Sequence, residues 1–233
     1  MTDRAGTYLD AILDHHRRRA TADQRDLPAL IEHARALEPP RGFRSALFGS
    51  ERLAVVSEIK RRSPSRGNLS VALGPARLAR QYAQGGATCL SVLTDRTHFG
   101  GSADDLRVAR NAVDLPVLRK DFTVALRDVC DTRLMGADCV LLIVAALDDA
   151  ELRDFHALAT ELGLDALVEV HDESEIERAL SAGATLIGVN QRDLVTFEVD
   201  QKRAVRVASS LPSAVLGVAG SGGRDRAVAL AMS

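Results

Sequence analysis

Short apolar runs alternate with amphipathic stretches from residue 53 onward. The runs comprise residues 53–59, 88–93, 116–120, 138–144, 166–170, 185–189 and 214–219. Continuous apolar runs of this length are typical of parallel strands that are covered on both faces. Between them, residues 75–84, 148–162 and 172–182 have helical spacing and begin with proline or aspartate, which favour helix N-termini. Seven such units predict an α/β barrel in preference to an open sheet.

A repeated Gly-Ala pair supports this fold. Gly86, Gly136 and Gly183 each stand where a helix is expected to end and a strand to begin, and glycine suits the left-handed conformation that closes many helices. They are roughly fifty residues apart, as internal duplication predicts. The next repeat would fall beyond Ser233. The pattern therefore predicts a TIM (β/α)8-type barrel whose eighth βα unit is missing.

The first fifty residues have a different pattern. Residues 8–19 and 27–37 are helix candidates, separated from the first strand by the break "EPPRGF". We expect residues 1–50 to form an N-terminal helical extension packed on an incomplete barrel of residues 51–233, all within a single domain. The expected apolar anchors of this extension are Phe43, Leu47 and Phe48.

The composition excludes several classes of function. The chain has 30 basic and 32 acidic residues, a balance that predicts no nucleic-acid or membrane partner but permits a small anionic substrate. Its three cysteines lack metal-ligand spacing and suit a reducing compartment. No apolar run reaches the length of a membrane span, and the start "MTDRAGTYLD" lacks the apolar core expected of a signal peptide. We expect a cytoplasmic protein without a metal or another cofactor.

Polar residues stand at the ends of the predicted strands, and strand ends converge on one face of a barrel. They are Glu58, Lys60, Ser91, Thr94, Lys120, Asp121, Glu169, His171, Asn190, Arg192 and Ser221. A single strand-end charge usually faces water or pairs locally, but two lysines and two glutamates together indicate acid-base chemistry and anion binding. A lysine in such a site can act as an acid if burial or a neighbouring cation lowers its pKa, and a glutamate can act as a base if desolvation raises its pKa.

Two Gly/Ser-rich turns are candidate anion sites. "SPSRG" contains Ser63 after the first strand, and "AGSGG" contains Ser221 and Gly222 after the seventh. By itself the first turn is a weak signal, because Ser-Pro turns usually only connect elements. The second turn is equally consistent with a tight loop and with a phosphate site.

The histidines are weaker candidates. His15 and His16 adjoin three arginines, which predicts a solvent-exposed helix face. His98 is a candidate ligand contact, although a loop histidine is more often incidental. No Ser-His-Asp arrangement accompanies His171. Cys139 lies within a predicted strand and is expected in the core.

Six motifs in order resemble the indole-3-glycerol-phosphate synthase family, βα-barrel enzymes of tryptophan biosynthesis. They are "SEIKRRSPSRG", "SVLTDRTHFGGS", "PVLRKDF", "GADCVLLIVAAL", "ALVEVHDESE" and "IGVNQRDLVTFEVD". The resemblance implies a lyase that closes the ring of 1-(2-carboxyphenylamino)-1-deoxyribulose 5-phosphate. Carbon dioxide and water are lost, and indole-3-glycerol phosphate is formed.

The resemblance also implies a role for each matching residue. Lys120 resembles the general acid, Glu169 its partner in the loss of water, and Glu58 and Lys60 a coupled pair beside them. Asn190 resembles a residue that positions the substrate at the catalytic group. The implied substrate contacts are Ser63 on the phosphate, Phe99 and Phe122 flanking the anthranilate ring, and Ser91, Leu93, Arg192, Ser221 and Gly222.

Two departures from the family pattern leave an alternative open. Gly220 stands where the family usually has a substrate-binding glutamate, and the last βα unit has no counterpart. Loss of two phosphate contacts would weaken binding by roughly a hundredfold. The alternative is an inactive or impaired barrel that binds a phosphorylated ligand or needs a partner chain. Unpaired strand edges then predict either a monomer or self-association. A barrel isomerase for phosphoribosyl compounds ranks below both.

Overall fold

The computed structural model describes residues 8–50, 53–63, 67–68, 74–190 and 209–220. The chain begins with helices α1 (Tyr8–Ala22), α2 (Leu27–Arg35) and α3 (Phe43–Phe48). The described residues then form nine strands, β1 (Val56–Ile59), β2 (Arg62–Ser63), β3 (Gly67–Asn68), β4 (Cys89–Leu93), β5 (Val117–Lys120), β6 (Cys139–Ile143), β7 (Asp165–Val170), β8 (Leu186–Asn190) and β9 (Leu216–Gly220). The remaining described helices are α4 (Pro75–Gln84), α5 (Arg96–Phe99), α6 (Ala103–Ala112), α7 (Leu126–Leu134), α8 (Asp149–Glu161) and α9 (Glu173–Ser181).

Seven strands form one parallel sheet in the order β1-β4-β5-β6-β7-β8-β9. Strands β2 and β3 form a separate two-stranded antiparallel ladder. Described helices lie in the connections between successive strands of the main sheet from β1 to β8, as parallel pairing requires. The prediction of a TIM-type α/β fold is confirmed. The predicted absence of an eighth unit concerns positions outside the described residues.

Local sequence signals explain most element boundaries. Helix α4 begins at Pro75, because proline supplies a helical φ and loses no hydrogen bond in the first turn. Gly86, Gly136 and Gly183 have φ of 87°, 87° and 92°, which confirms the predicted left-handed helix ends. Strand β1 begins at Val56, three positions later than residue 53 of the predicted run.

The core is aliphatic and fixes which side chains face away from the helices. Ile59 of β1 is 3% exposed and belongs to one apolar cluster with Leu78 of α4 and Leu106 of α6. Side chains alternate between the faces of a strand. Glu58 and Lys60 therefore lie on the opposite, concave face of the sheet. Cys139 is fully buried, which confirms its expected core position.

The N-terminal helices contact the barrel through apolar and charged residues. Phe43 and Leu47 are 0% and 6% exposed, whereas Phe48 is 73% exposed. The prediction that Phe48 is an anchor is wrong, because Phe43 and Leu47 share one helix face at i, i+4 while Phe48 is rotated off it. From α1, Arg17 donates to Glu151 at 2.8 Å. No described helix has the length and apolar character needed to span a membrane.

Candidate active site

Lys120, Glu169 and Asn190 come together from three strands. The Lys120 Nζ donates to Glu169 Oε2 at 3.0 Å, and Asn190 Nδ2 donates to Glu169 Oε1 at 3.1 Å. Lys120 and Asn190 are the last residues of β5 and β8, and Glu169 is the next-to-last residue of β7. Side chains separated by up to 70 positions in the sequence therefore meet at the carboxyl ends of the strands.

Glu58 and Lys60 form a second ion pair, from β1 and the position just after it. The Lys60 Nζ donates to Glu58 Oε1, and the two side chains are 28% and 36% exposed. The charge of Glu58 also acts on Lys120, so the two pairs are electrostatically coupled. Tyr82 of α4 donates to the backbone carbonyl of Glu58 at 3.2 Å. No motif in the sequence indicated this contact, since Tyr82 lies on a helix with ordinary apolar spacing.

The pKa values of Lys120 and Glu169 are shifted in the directions opposite to those that burial alone would cause. Burial lowers the pKa of Lys120, but the charges of Glu169 and Glu58 outweigh it, and the pKa lies above its ordinary value. Burial raises the pKa of Glu169, but Lys120 and His171 outweigh it, and the pKa lies below its ordinary value. The condition of a lowered lysine pKa and a raised glutamate pKa is therefore not met by this pair. At neutral pH the group is an ammonium facing a carboxylate.

The residues expected to contact the substrate are distributed along the neighbouring strands and loops. Ser91 is 6% exposed and is the register partner of Glu58. Leu93 is also 6% exposed and pairs with Lys120. Phe99 and Phe122 are partly buried, with stacked rings whose centroids are 6.4 Å apart. The structure thus places an aromatic pair beyond the carboxyl ends of two neighbouring strands, with Phe99 at the end of α5 after β4 and Phe122 two residues after β5.

Four of the predicted substrate contacts cannot be placed. Arg192, Ser221 and Gly222 lie outside the described residues, as does the side chain of Ser63. Gly220 is described and ends β9, opposite Asn190 in the register. A Cβ at Gly220 would lie 3.3 Å from the carbonyl oxygen of Val189, so any side chain here needs a small backbone adjustment.

Two strand-end candidates belong to a different group. Thr94 and Asp121 are 8% and 5% exposed, and Thr94 Oγ1 donates to Asp121 Oδ2 at 2.5 Å. Arg119, which is 3% exposed, donates to the same Asp121 oxygen at 3.0 Å. The prediction that Thr94 and Asp121 lie with the reactive strand-end residues is wrong. Arg119 and Asp121 alternate with Lys120 along the chain and therefore lie on the other face of the sheet.

The histidine interpretation also needs correction. His16 is 1% exposed, and its Nε2 lies 2.9 Å from Asp95 Oδ2. Three arginines flank it in the sequence and suggested an exposed face. In the helix, however, His16 and Ile12 are four residues apart and both point inward. His98 Nδ1 lies 3.0 Å from the same Asp95 oxygen, so neither histidine is incidental.

The family model for "Indole-3-glycerol phosphate synthase" matches residues 9–233 of this chain. The chain belongs to the indole-3-glycerol phosphate synthase family. A relative of that name from Micrococcus luteus is 49% identical over 222 residues, which cover 93% of this chain and 83% of that protein. One from Nocardioides is 50% identical over 214 residues, covering 90% of this chain and 79% of that protein. One from Chlorobium luteolum is 47% identical over 219 residues, covering 93% and 84%.

Solved structures with little sequence similarity support the fold alone. An N-acetylmannosamine-6-phosphate 2-epimerase from Clostridium perfringens matches with a TM-score of 0.58 and 12% identity, covering 77% of this chain and 82% of that chain. A thiamine phosphate pyrophosphorylase from Pyrococcus furiosus matches with a TM-score of 0.52 and 15% identity, covering 77% and 81%. Family membership therefore rests on the sequence relatives, and the sheet topology agrees with it.

Proposed function

We propose that this protein is a lyase that converts 1-(2-carboxyphenylamino)-1-deoxyribulose 5-phosphate into indole-3-glycerol phosphate. The observation that supports this most directly is the Lys120–Glu169 ion pair at the carboxyl end of the sheet. It joins a proton donor to a proton acceptor in a chain of this family. Their side chains are 27% and 12% exposed, so they are shielded from bulk water but not sealed.

Ring closure requires a proton at the substrate carbonyl. The aromatic carbon that carries the carboxylate attacks this carbonyl carbon, and the carbonyl oxygen becomes a hydroxyl by taking a proton. We assign that proton to Lys120, because its raised pKa keeps an ammonium available at neutral pH. Carbon dioxide then leaves from the attacking carbon. The electron pair of the broken carbon–carbon bond restores the aromatic ring.

The loss of water needs an acid and a base together. The hydroxyl departs with a second proton, and a proton is removed from the neighbouring carbon of the new ring. We assign the base to Glu169, which the ion pair with Lys120 keeps ionised. Asn190 holds the other oxygen of this carboxylate at 3.1 Å, which fixes its orientation and leaves one oxygen for Lys120 or the substrate.

The second ion pair and the aromatic pair supply binding. We propose that Lys60 attracts the anionic groups of the substrate while Glu58 tunes Lys120 across the sheet. The stacked rings of Phe99 and Phe122 are suited to hold the anthranilate ring. We also assign the protein to the cytoplasm, because Cys89, Cys130 and Cys139 are free thiols. Monomer and self-association at the strand edges both stay predictions, which a size measurement in solution decides.

The test is turnover of the carboxyphenylamino-deoxyribulose phosphate, followed by indole fluorescence. The matched variants are Lys120→Met and Arg153→Met. Arg153 lies on α8, and its side chain is 63% exposed and pairs with the exposed Asp154. We expect Lys120→Met to lower kcat by about 10²–10⁴-fold, the usual contribution of a positioned acid or base, and Arg153→Met to leave it unchanged. Wild-type protein without product, or equal rates in wild type and Lys120→Met, would contradict the proposal.

A further inference from the structure

A cluster of His16, Asp95 and His98 lies where helix α1 meets the segment between β4 and α5. His16 and Asp95 are 1% and 4% exposed, and the side chain of His98 is 17% exposed. The ring-closing steps do not use any of the three residues. Two imidazoles and a carboxylate are the ligand types that zinc and similar divalent transition metals prefer in proteins.

The three potential ligand atoms lie close together. His16 Nε2 lies 2.9 Å from Asp95 Oδ2, His98 Nδ1 lies 3.0 Å from the same oxygen, and all three atoms lie within 4.8 Å of one another. Around a tetrahedral zinc ion, ligand atoms are about 3.4 Å apart, since metal–ligand bonds are about 2.0–2.1 Å long. An ion therefore fits if the two contacts to Asp95 open by a few tenths of an ångström and the two imidazole nitrogens, which lie within 4.8 Å of each other, settle at about the same 3.4 Å spacing.

The carboxylate of Asp95 is already oriented for this role. Its Oδ1 accepts the backbone N–H groups of His98 and Phe99 at the start of α5, which turns Oδ2 toward the two imidazoles. Burial raises the pKa of Asp95, but hydrogen bonds from His16 and His98 outweigh it and keep the pKa below its ordinary value. Ligating carboxylates in metal sites are typically held by such second hydrogen bonds.

The surroundings permit a fourth ligand and an entry path. Asp121 Oδ1 lies 3.9 Å from His16 Nε2 but already accepts the backbone N–H of Phe122, so a water molecule is the fourth ligand that can complete a tetrahedron. The partly exposed ring of His98 opens the cluster to solvent. His16 Nε2 faces the ionised Asp95 carboxylate, which can only accept, so without an ion the shared hydrogen bond keeps a proton on Nε2. His16 Nδ1 has no hydrogen-bond partner among the described residues. A neutral imidazole can move its proton to the ring nitrogen that does not bind the ion, so the ring keeps the proton while the ion is bound.

We propose that His16, Asp95 and His98 form a structural site for a zinc-class divalent cation. The ion would fasten α1 to the segment that carries Phe99. It would also fix the neighbouring aromatic pair, because the His16 ring centroid lies 5.3 Å from that of Phe122. The site acts on structure and takes no part in the acid-base steps of Lys120 and Glu169. Its existence is independent of whether the protein closes the indole ring.

The test measures metal binding by protein that has first been stripped with a chelator. Equilibrium dialysis against ZnCl2, with the metal counted by mass spectrometry, is run on wild type, His16→Leu, His98→Ala and the control His33→Ala, whose side chain is exposed on α2. We expect about one zinc per wild-type and control chain. Loss of either ligand should weaken binding at least about a hundredfold.

A second measurement separates this site from adventitious binding elsewhere. Zinc should raise the melting temperature of wild type and His33→Ala and slow hydrogen exchange in α1, and both effects should vanish in His98→Ala. Wild-type protein that takes up no zinc would overturn the proposal. So would zinc binding of equal strength in His16→Leu and His98→Ala, because the cluster would then be only a set of hydrogen bonds.

Discussion

Two charged groups on adjacent residues of β5 have opposite environments. Arg119 and its partner Asp121 have side chains that are each 3% exposed, while Lys120 and its partner Glu169 are 27% and 12% exposed. Arg119 also donates to the backbone oxygen of Asp128 at 2.8 Å. Because side chains alternate across a strand, three consecutive charged residues divide between the helix-covered face and the concave face.

The difference shows how one strand serves two purposes. In the buried group the hydrogen-bonding groups of Arg119 and Asp121 are matched to protein partners, as burial of charge requires. Such a group fixes the position of β5 and has no capacity left for a substrate. Lys120 has one hydrogen bond, to Glu169, among the described contacts, so its ammonium keeps donors for a ligand. Rigidity on one face therefore supports reactivity on the other.

The largest expected effect comes from a substitution that breaks the buried pair of Arg119 and Asp121. Arg119→Met leaves Asp121 charged and without its guanidinium partner, and we expect the free energy of unfolding to fall by about 3–5 kcal/mol. Urea denaturation measures it. The double variant Arg119→Met/Asp121→Asn should recover part of the loss, since it removes the stranded charge. A loss below about 1 kcal/mol, the range of exposed pairs, would show that the two environments do not differ in energy.

A second prediction concerns the ion pair on the concave face. In Glu169→Gln the largest charge that raises the pKa of Lys120 is gone, so this pKa should fall. Because the acid must be protonated, the alkaline limb of the kcat profile should move to lower pH, and kcat should fall at least about tenfold. The control is Glu161→Gln, a half-exposed carboxylate on α8. If the alkaline limb does not move, Lys120 is not the general acid.

The smallest effect is expected at an exposed ion pair. It gives the reference against which the loss in Arg119→Met is compared. Arg107 and Asp104 are 2.9 Å apart, with side chains 51% and 85% exposed. Arg107→Met makes the same substitution as Arg119→Met, yet we expect it to change the free energy of unfolding by about 0–1 kcal/mol. The same urea measurement decides it. A loss comparable to that of Arg119→Met would mean that burial is not what distinguishes the two pairs.

Much of the fold was predictable, because it depends on local patterns. Helix α4 has the predicted bounds, and the three helix-ending glycines have the predicted conformation. Phe48 was misassigned, because hydrophobicity alone does not say which side of a six-residue helix faces the core. His16 was misassigned, because flanking arginines suggested an exposed face, although its inward side is set by packing against Asp95, which lies 79 positions away.

The sequence by itself determined the seven strands of the main sheet, the family, and the candidates Lys120, Glu169 and Asn190. These depend on hydrophobic periodicity and on motifs that are contiguous in the chain. Only the tertiary structure decided which charges pair. It placed Lys120 against Glu169 and Arg119 against Asp121, and it gave Lys120 a raised pKa where burial alone predicts a lowered one. The physical reason is that electrostatic energies depend on distance and burial in space, and neither quantity is encoded in the spacing of residues along the chain.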